Sequence, residues 1–132
     1  MTNEEKKYKI ILVDDDDFLV NMYVTKFNNS GVEVEACNSG TSFIEKLKSG
    51  LQADLILLDI VMSDMSGIEA LKKMRKEKLG EGIPIVMLTN QNNEEDINIS
   101  KELGVAAYII KSAATPLEVV EETMRIIKNS KN

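Results

Sequence analysis

A chain of 132 residues, 43% apolar and 29% charged, has the length and make-up of one soluble globular domain. Its net charge of −6 argues against a binder of nucleic acid or anionic membrane, and no apolar run approaches the roughly 20 residues of a membrane span. There is no histidine and one cysteine, which excludes Ser-His and Cys-His catalysis, histidine-ligated metals and an internal disulfide.

The start, MTNEEKKYK, lacks the apolar core of a secretion signal, so a cytoplasmic location is expected. KIILV (9–13) is the first strand-length apolar run, and four aspartates, Asp14 to Asp17, follow it directly. Two unit charges about 4 Å apart at an effective dielectric of ~20 repel by on the order of 4 kcal/mol. The stretch therefore calls for a cation. FLVNMYVTKF reads as the next helix, with Asp17 as its cap. VEVEAC (32–37) alternates as an edge strand should, with Cys37 a core filler at its end.

DLILL (54–58), PIVML (84–88) and AAYII (106–110) are continuously apolar, like KIILV, and predict interior parallel strands covered on both faces. Ser66 with Glu69 forms a capping box, and Thr115, Pro116 and Glu118 combine a cap, a first-turn proline and the same box. Asn93 precedes Glu94, Glu95 and Asp96, acids that the start of a helix dipole favours. Gly31, Gly50 and Gly104 stand where left-handed C-caps are wanted, and Leu117, Val120, Met124 and Ile127 share one face of the last helix. KLGEGIP (78–84) is read as the longest connection, and the ends MTNEEK and NSKN as frayed. Five strands alternating with five helices give an α/β layer structure with right-handed crossovers.

Each of four strands hands on to a polar residue: Val13 to Asp14 and Asp15, Leu58 to Asp59, Leu88 to Thr89, Ile110 to Lys111. In a parallel sheet these carboxyl ends share one edge, where ligands bind. Carboxylates, a hydroxyl and an ammonium gathered there suit Mg²⁺-assisted phosphoryl transfer, with Asp59 as nucleophile. Thr89 can donate to the phosphoryl group and Lys111 can pair with it.

Across residues 9 to 128 the sequence resembles the response-regulator receiver domain of bacterial two-component signalling. The matching features are ILVDDDD, LILLDIVMSDMSGIEAL around Asp59, PIVMLT ending at Thr89 and YIIK ending at Lys111. The resemblance implies a flavodoxin-like (βα)5 fold, doubly wound, with a parallel sheet of order 2-1-3-4-5 and helices on both faces. It implies that Asp59 takes phosphate from a histidine kinase or a histidine phosphotransfer protein. Asp15 matches a direct Mg²⁺ ligand, Asp14 the acid beside it, and Val61 the position whose backbone carbonyl completes the site; Mn²⁺ is a chemical substitute. Thr89 and Tyr108 match the pair that rearranges on phosphorylation. The expected output is altered binding of a separate effector protein by a single-domain chain, a monomer or a weak dimer through the face of helix 4, strand 5 and helix 5. No direct nucleic-acid contact, membrane insertion or enzymatic turnover of an external substrate is expected.

Three departures from the family pattern stand out. Ser63 and Ser112 occupy positions where proline is usual, and the peptide before the second is commonly cis, which before serine would cost about 2.5–4 kcal/mol. At the first, the serine is expected to loosen the loop. Asn90 is larger than the usual residue, and with Val61 and Gln91 it lies where the family tunes phosphoryl lifetime. Two other readings compete. A haloacid-dehalogenase-type phosphohydrolase carries Asp-x-Asp, whereas the residue two after Asp59 is Val61. A pseudo-receiver that takes no phosphate would act only as an interaction module.

Overall fold

The computed structural model describes residues 7–131. Along the chain run β1 (Lys9–Val13), α1 (Asp17–Asn29), β2 (Glu33–Cys37), α2 (Gly40–Lys48), β3 (Leu55–Leu58) and α3 (Gly67–Glu77). β4 (Ile85–Thr89), α4 (Glu94–Glu102), β5 (Ala107–Ile110), a 3-10 turn (Lys111–Ala113) and α5 (Pro116–Ser130) complete it. The five strands form one parallel sheet of order β2-β1-β3-β4-β5, the flavodoxin-like arrangement the resemblance implied.

Side chains alternate across a strand, so an apolar run covered on both faces feeds two cores. Ile11, Val13, Ile56, Leu58, Ile85 and Met87 pack with Phe43 and Leu47 of α2 and Leu71 and Met74 of α3. Their neighbours Ile10, Leu12, Leu55, Leu57, Val86 and Leu88 pack with Val20, Tyr23 and Phe27 of α1 and Val119, Val120 and Ile127 of α5. Parallel register pairs Ile11 with Ile56, and Ile56 with Ile85, so like layers stay in line.

Capping follows the local sequence closely. Ser66 and Thr115 both form complete capping boxes, and Asn93 caps α4 through the Asp96 N–H. Gly31, Gly50 and Gly104 adopt φ of 80°, 96° and 82°, as C-caps require.

Five expectations need correction. Asp16, not Asp17, caps α1: its carboxylate accepts the Leu19 N–H at 3.2 Å, and Asp17 is the first helical residue. β5 is the second edge strand, and all four of its residues are part-exposed, because neither face is fully roofed at the sheet's end. The buried stripe of α5 is Val119, Val120, Thr123, Ile126 and Ile127, while Leu117 is 52% exposed. Reading the stripe by apolar identity passes over Thr123. The connection 59–66, after β3, outruns 78–84. At the ends, MTNEEK and Asn132 lie outside the described residues, whereas Asn129 and Ser130 continue α5 rather than fray. Lys131 then pairs with Asp54 at 2.7 Å, and Asp54 also accepts the Lys9 N–H at 2.9 Å.

Asp64 fastens the connection 59–66 to α2. It accepts the N–H groups of Gly40 (3.1 Å) and Thr41 (2.9 Å) at that helix's start. Hydrogen bonds from the Thr41 hydroxyl and N–H, with Gly40 behind them, lower its pKa from 3.8 to about 2. A depressed carboxylate stabilises the fold above its unfolded pKa and stops doing so as pH falls through its folded value. Melting of wild type against Asp64→Asn should therefore show a gap above pH 3.8 that closes towards about pH 2. A gap of constant size down to that pH would contradict the assignment.

Candidate functional site

The sheet ladder runs one residue past two strands. Asp14 donates its N–H to the Cys37 carbonyl at 3.1 Å, and Asp59 donates to the Val13 carbonyl at 3.0 Å. Both acids are thus fixed at the carboxyl edge of the sheet before their side chains are considered. From the far side Lys111 opens the 3-10 turn after β5, and its Nζ reaches Asp14 Oδ2 at 2.5 Å and Asp59 Oδ2 at 3.0 Å. The three side chains are 1%, 9% and 8% exposed for Asp14, Asp59 and Lys111. Asp59 Oδ1 accepts the Ile60 N–H at 2.7 Å, and Asp14 Oδ1 accepts the Asp16 N–H at 2.9 Å.

Burial pushes the Asp14 carboxyl above its ordinary value, against the opposing pull of Lys111 and the Asp16 N–H. Burial alone would lower the Lys111 ammonium, but Asp14 and Asp59 outweigh it and raise the group. Lys111 is accordingly a permanent cation wedged between two carboxylates. Within the aspartate run, the charge of Asp14 is met by this lysine from the turn after β5.

No described peptide bond is cis. Lys111 reaches both acids across a trans bond to Ser112, so that departure does not misdirect the ammonium. The Ser112 N–H, which a proline would lack, donates to Asn90 Oδ1 at 2.9 Å. Likewise the Ser63 N–H donates to Asp15 Oδ2 at 3.0 Å. The serine at 63 therefore ties its loop to the aspartate run, contrary to the expected loosening.

Thr89 is fully buried, and its Oγ1 accepts the Gln91 N–H at 3.3 Å. The Tyr108 hydroxyl donates to the Gln91 carbonyl. One residue of the β4–α4 loop is thus held by both Thr89 and Tyr108. Gly67 sits behind Asp59: its N–H donates to the Ile60 carbonyl at 2.8 Å, and an added Cβ would lie 2.0 Å from the Asp59 carbonyl oxygen. Sequence reasoning saw only a helix start there, because this constraint comes from the backbone of another segment.

Asp14, Asp15, Asp59, Val61, Thr89 and Lys111 all line one cavity of about 330 Å³, with Asn90 and Gln91 at its side. Hard oxygen donors on this scale fit a small divalent cation with its waters. Among the described residues no three acids converge closely enough to hold one as they stand. The Lys111 ammonium holds Asp14 and Asp59, and Asp15 leans to Ser63. The donors fit the ion in kind and line one cavity, in an arrangement that lysine now organises.

The model of the response regulator receiver domain matches residues 10–122. The chain belongs to this family.

The receiver is 33% identical over 122 residues to the alkaline phosphatase synthesis transcriptional regulatory protein PhoP of Bacillus subtilis, covering 92% of this chain and 49% of that protein. It is 36% identical over 96 residues to a transcriptional regulatory protein CpxR homolog of Haemophilus influenzae, covering 73% and 40%. Among solved structures, a CheY-like receiver domain protein from Methanospirillum hungatei superposes with a TM-score of 0.86 at 26% identity, covering 96% of this chain and 98% of that one. The chain spans about half, or less, of the length of those two relatives. Receivers are the phospho-accepting modules of two-component signalling. In this one, no described helix is long and apolar enough to cross a membrane.

Proposed function

We propose that Asp59 accepts a phosphoryl group from the phosphohistidine of a partner histidine kinase or histidine phosphotransfer protein. The observation that carries this reading is the Lys111 ammonium, held within 3.0 Å of Asp59 Oδ2 and buried with it at the sheet's edge. A carboxylate oxygen of Asp59 forms the new P–O bond while the donor's P–N bond breaks, and the electron pair returns to the imidazole nitrogen. Lys111 meets the charge on the equatorial oxygens, and Thr89 donates a hydrogen bond from its hydroxyl to one of them. Asp14, Asp15, Asp59 and the Val61 carbonyl would hold Mg²⁺, or Mn²⁺ in its place, which would supply further charge neutralisation.

Output follows from Gln91. When Thr89 turns to the phosphoryl group it gives up the Gln91 N–H, and Tyr108, bonded to the same residue, is freed to change its own position. The face of α4, β5 and α5 is remodelled, and a separate effector protein or a second copy in a weak dimer reads the change. The domain works on itself and turns over no external substrate.

A small phosphodonor such as acetyl phosphate with Mg²⁺ should place one phosphoryl group on each chain, and none on Asp59→Asn. Equal labelling of the two would overturn the assignment, and no labelling of either would favour the phosphate-independent module. Millimolar Mg²⁺ should also raise the melting temperature of the wild type, and Asp15→Asn should blunt that rise.

A further inference from the structure

We propose that Asn90 is a positioning residue for this reaction: its side chain holds the backbone of the Lys111 turn through the Ser112 N–H. The β4–β5 ladder ends at the pair Thr89 and Ile110. At this end each strand gives one reactive residue, Thr89 within β4 and Lys111 directly after β5. The chains then part, β4 into the loop before α4 and β5 into the 3-10 turn. The first N–H groups of any helical turn lack partners within the turn. Here Ile110, at the cap position, supplies no side-chain acceptor.

Asn90 supplies one from the opposite strand. Its Oδ1 accepts the Ser112 N–H at 2.9 Å, one residue beyond Thr89 on one side and one beyond Lys111 on the other. The contact thus extends the ladder by a side chain at the level where the site opens. Asn90 also lines the cavity that holds Asp59, Thr89 and Lys111. Lysine is a long, flexible point charge, so the direction of its backbone decides where the ammonium spends its time. Fixing the peptide after Lys111 keeps Nζ between Asp14 and Asp59. The device needs an N–H at residue 112, which serine has and proline lacks.

The inference rests on the phosphoryl reading, and two readouts separate them. Asn90→Ala should speed hydrogen exchange of the Ser112 amide and slow labelling by acetyl phosphate on the order of tenfold. Ser112→Pro, which removes the donor, should slow labelling on its own and add nothing in the Asn90→Ala background, because both changes break one contact. Asn90→Asp retains an acceptor and should keep the Ser112 amide slow. Ser112 exchange that is equal in wild type and Asn90→Ala overturns the inference, whether or not Asp59 takes phosphate. Unchanged labelling in Asn90→Ala, or losses that multiply in the double variant, overturns it too. A wild type that takes no phosphate while Asn90 still protects Ser112 would instead remove the phosphoryl reading, and the contact's assigned role with it.

Discussion

Lys111→Met should cost the metal-free protein about 3–5 kcal/mol of stability at neutral pH, because it strands two buried carboxylates without a counter-charge. Asp14 and Asp59 both bond to this one ammonium, and their side chains are 1% and 9% exposed. Methionine fills most of the lysine's volume, so the loss reports charge rather than a cavity. The pH dependence has a definite sign. Burial already raises Asp14 above 3.8 with the lysine present, and removing it raises the carboxyl further. A folded state with a raised carboxyl pKa binds more protons than the unfolded one, so mild acid should stabilise the variant relative to wild type. Urea unfolding at neutral and mildly acidic pH would check both parts. A variant as stable as wild type at neutral pH, or a deficit that grows in mild acid, would refute this account of the aspartate run.

Gly67→Ala should cost about 1–3 kcal/mol and slow labelling of Asp59 by on the order of a hundredfold. On helix propensity alone the change is favourable, since alanine exceeds glycine by about 1 kcal/mol in a helix interior. Space decides otherwise. The new methyl carbon would lie 2.0 Å from the Asp59 carbonyl oxygen and 2.8 Å from its carbonyl carbon. Neither atom is a side-chain tip that can swing away, so either α3 or the backbone of Asp59 must move. Denaturant melts with a timed phosphodonor assay would measure both effects, and an alanine variant equal to wild type in both would show that the approach is not a constraint.

The strands were legible because their burial is two-sided: a run such as Ile10 to Val13 needs apolar residues at every position when odd and even side chains feed different cores. The gathering of Asp14, Asp59, Thr89 and Lys111 at one edge was legible for a related reason, since a charged or hydroxylated residue ends each of four such runs. AAYII misled because its composition resembles the interior strands while its place is at the edge, and place is set by crossovers rather than by local sequence. Thr123 is buried among aliphatic residues, where a polar identity hides it from any apolar count. The amide contacts of Ser63 and Ser112 were illegible for a deeper reason. Every residue but proline carries the same N–H, and only the tertiary approach of Asp15 or Asn90 gives it a partner.

The division of the core by the sheet bears on how a message could travel. α1 and α5 share one packed layer, while Ile99 and Leu103 at α4 lean on the other, and α4 buries only Ser100 fully among its described residues. The sheet lies between the two layers. A helix so lightly seated can shift without repacking the α1 and α5 side, so under the proposed switch the face of α4, β5 and α5 would be a jaw with one moving wall and one fixed wall. Whatever grips it would feel a change in width while its footing on α5 stays the same.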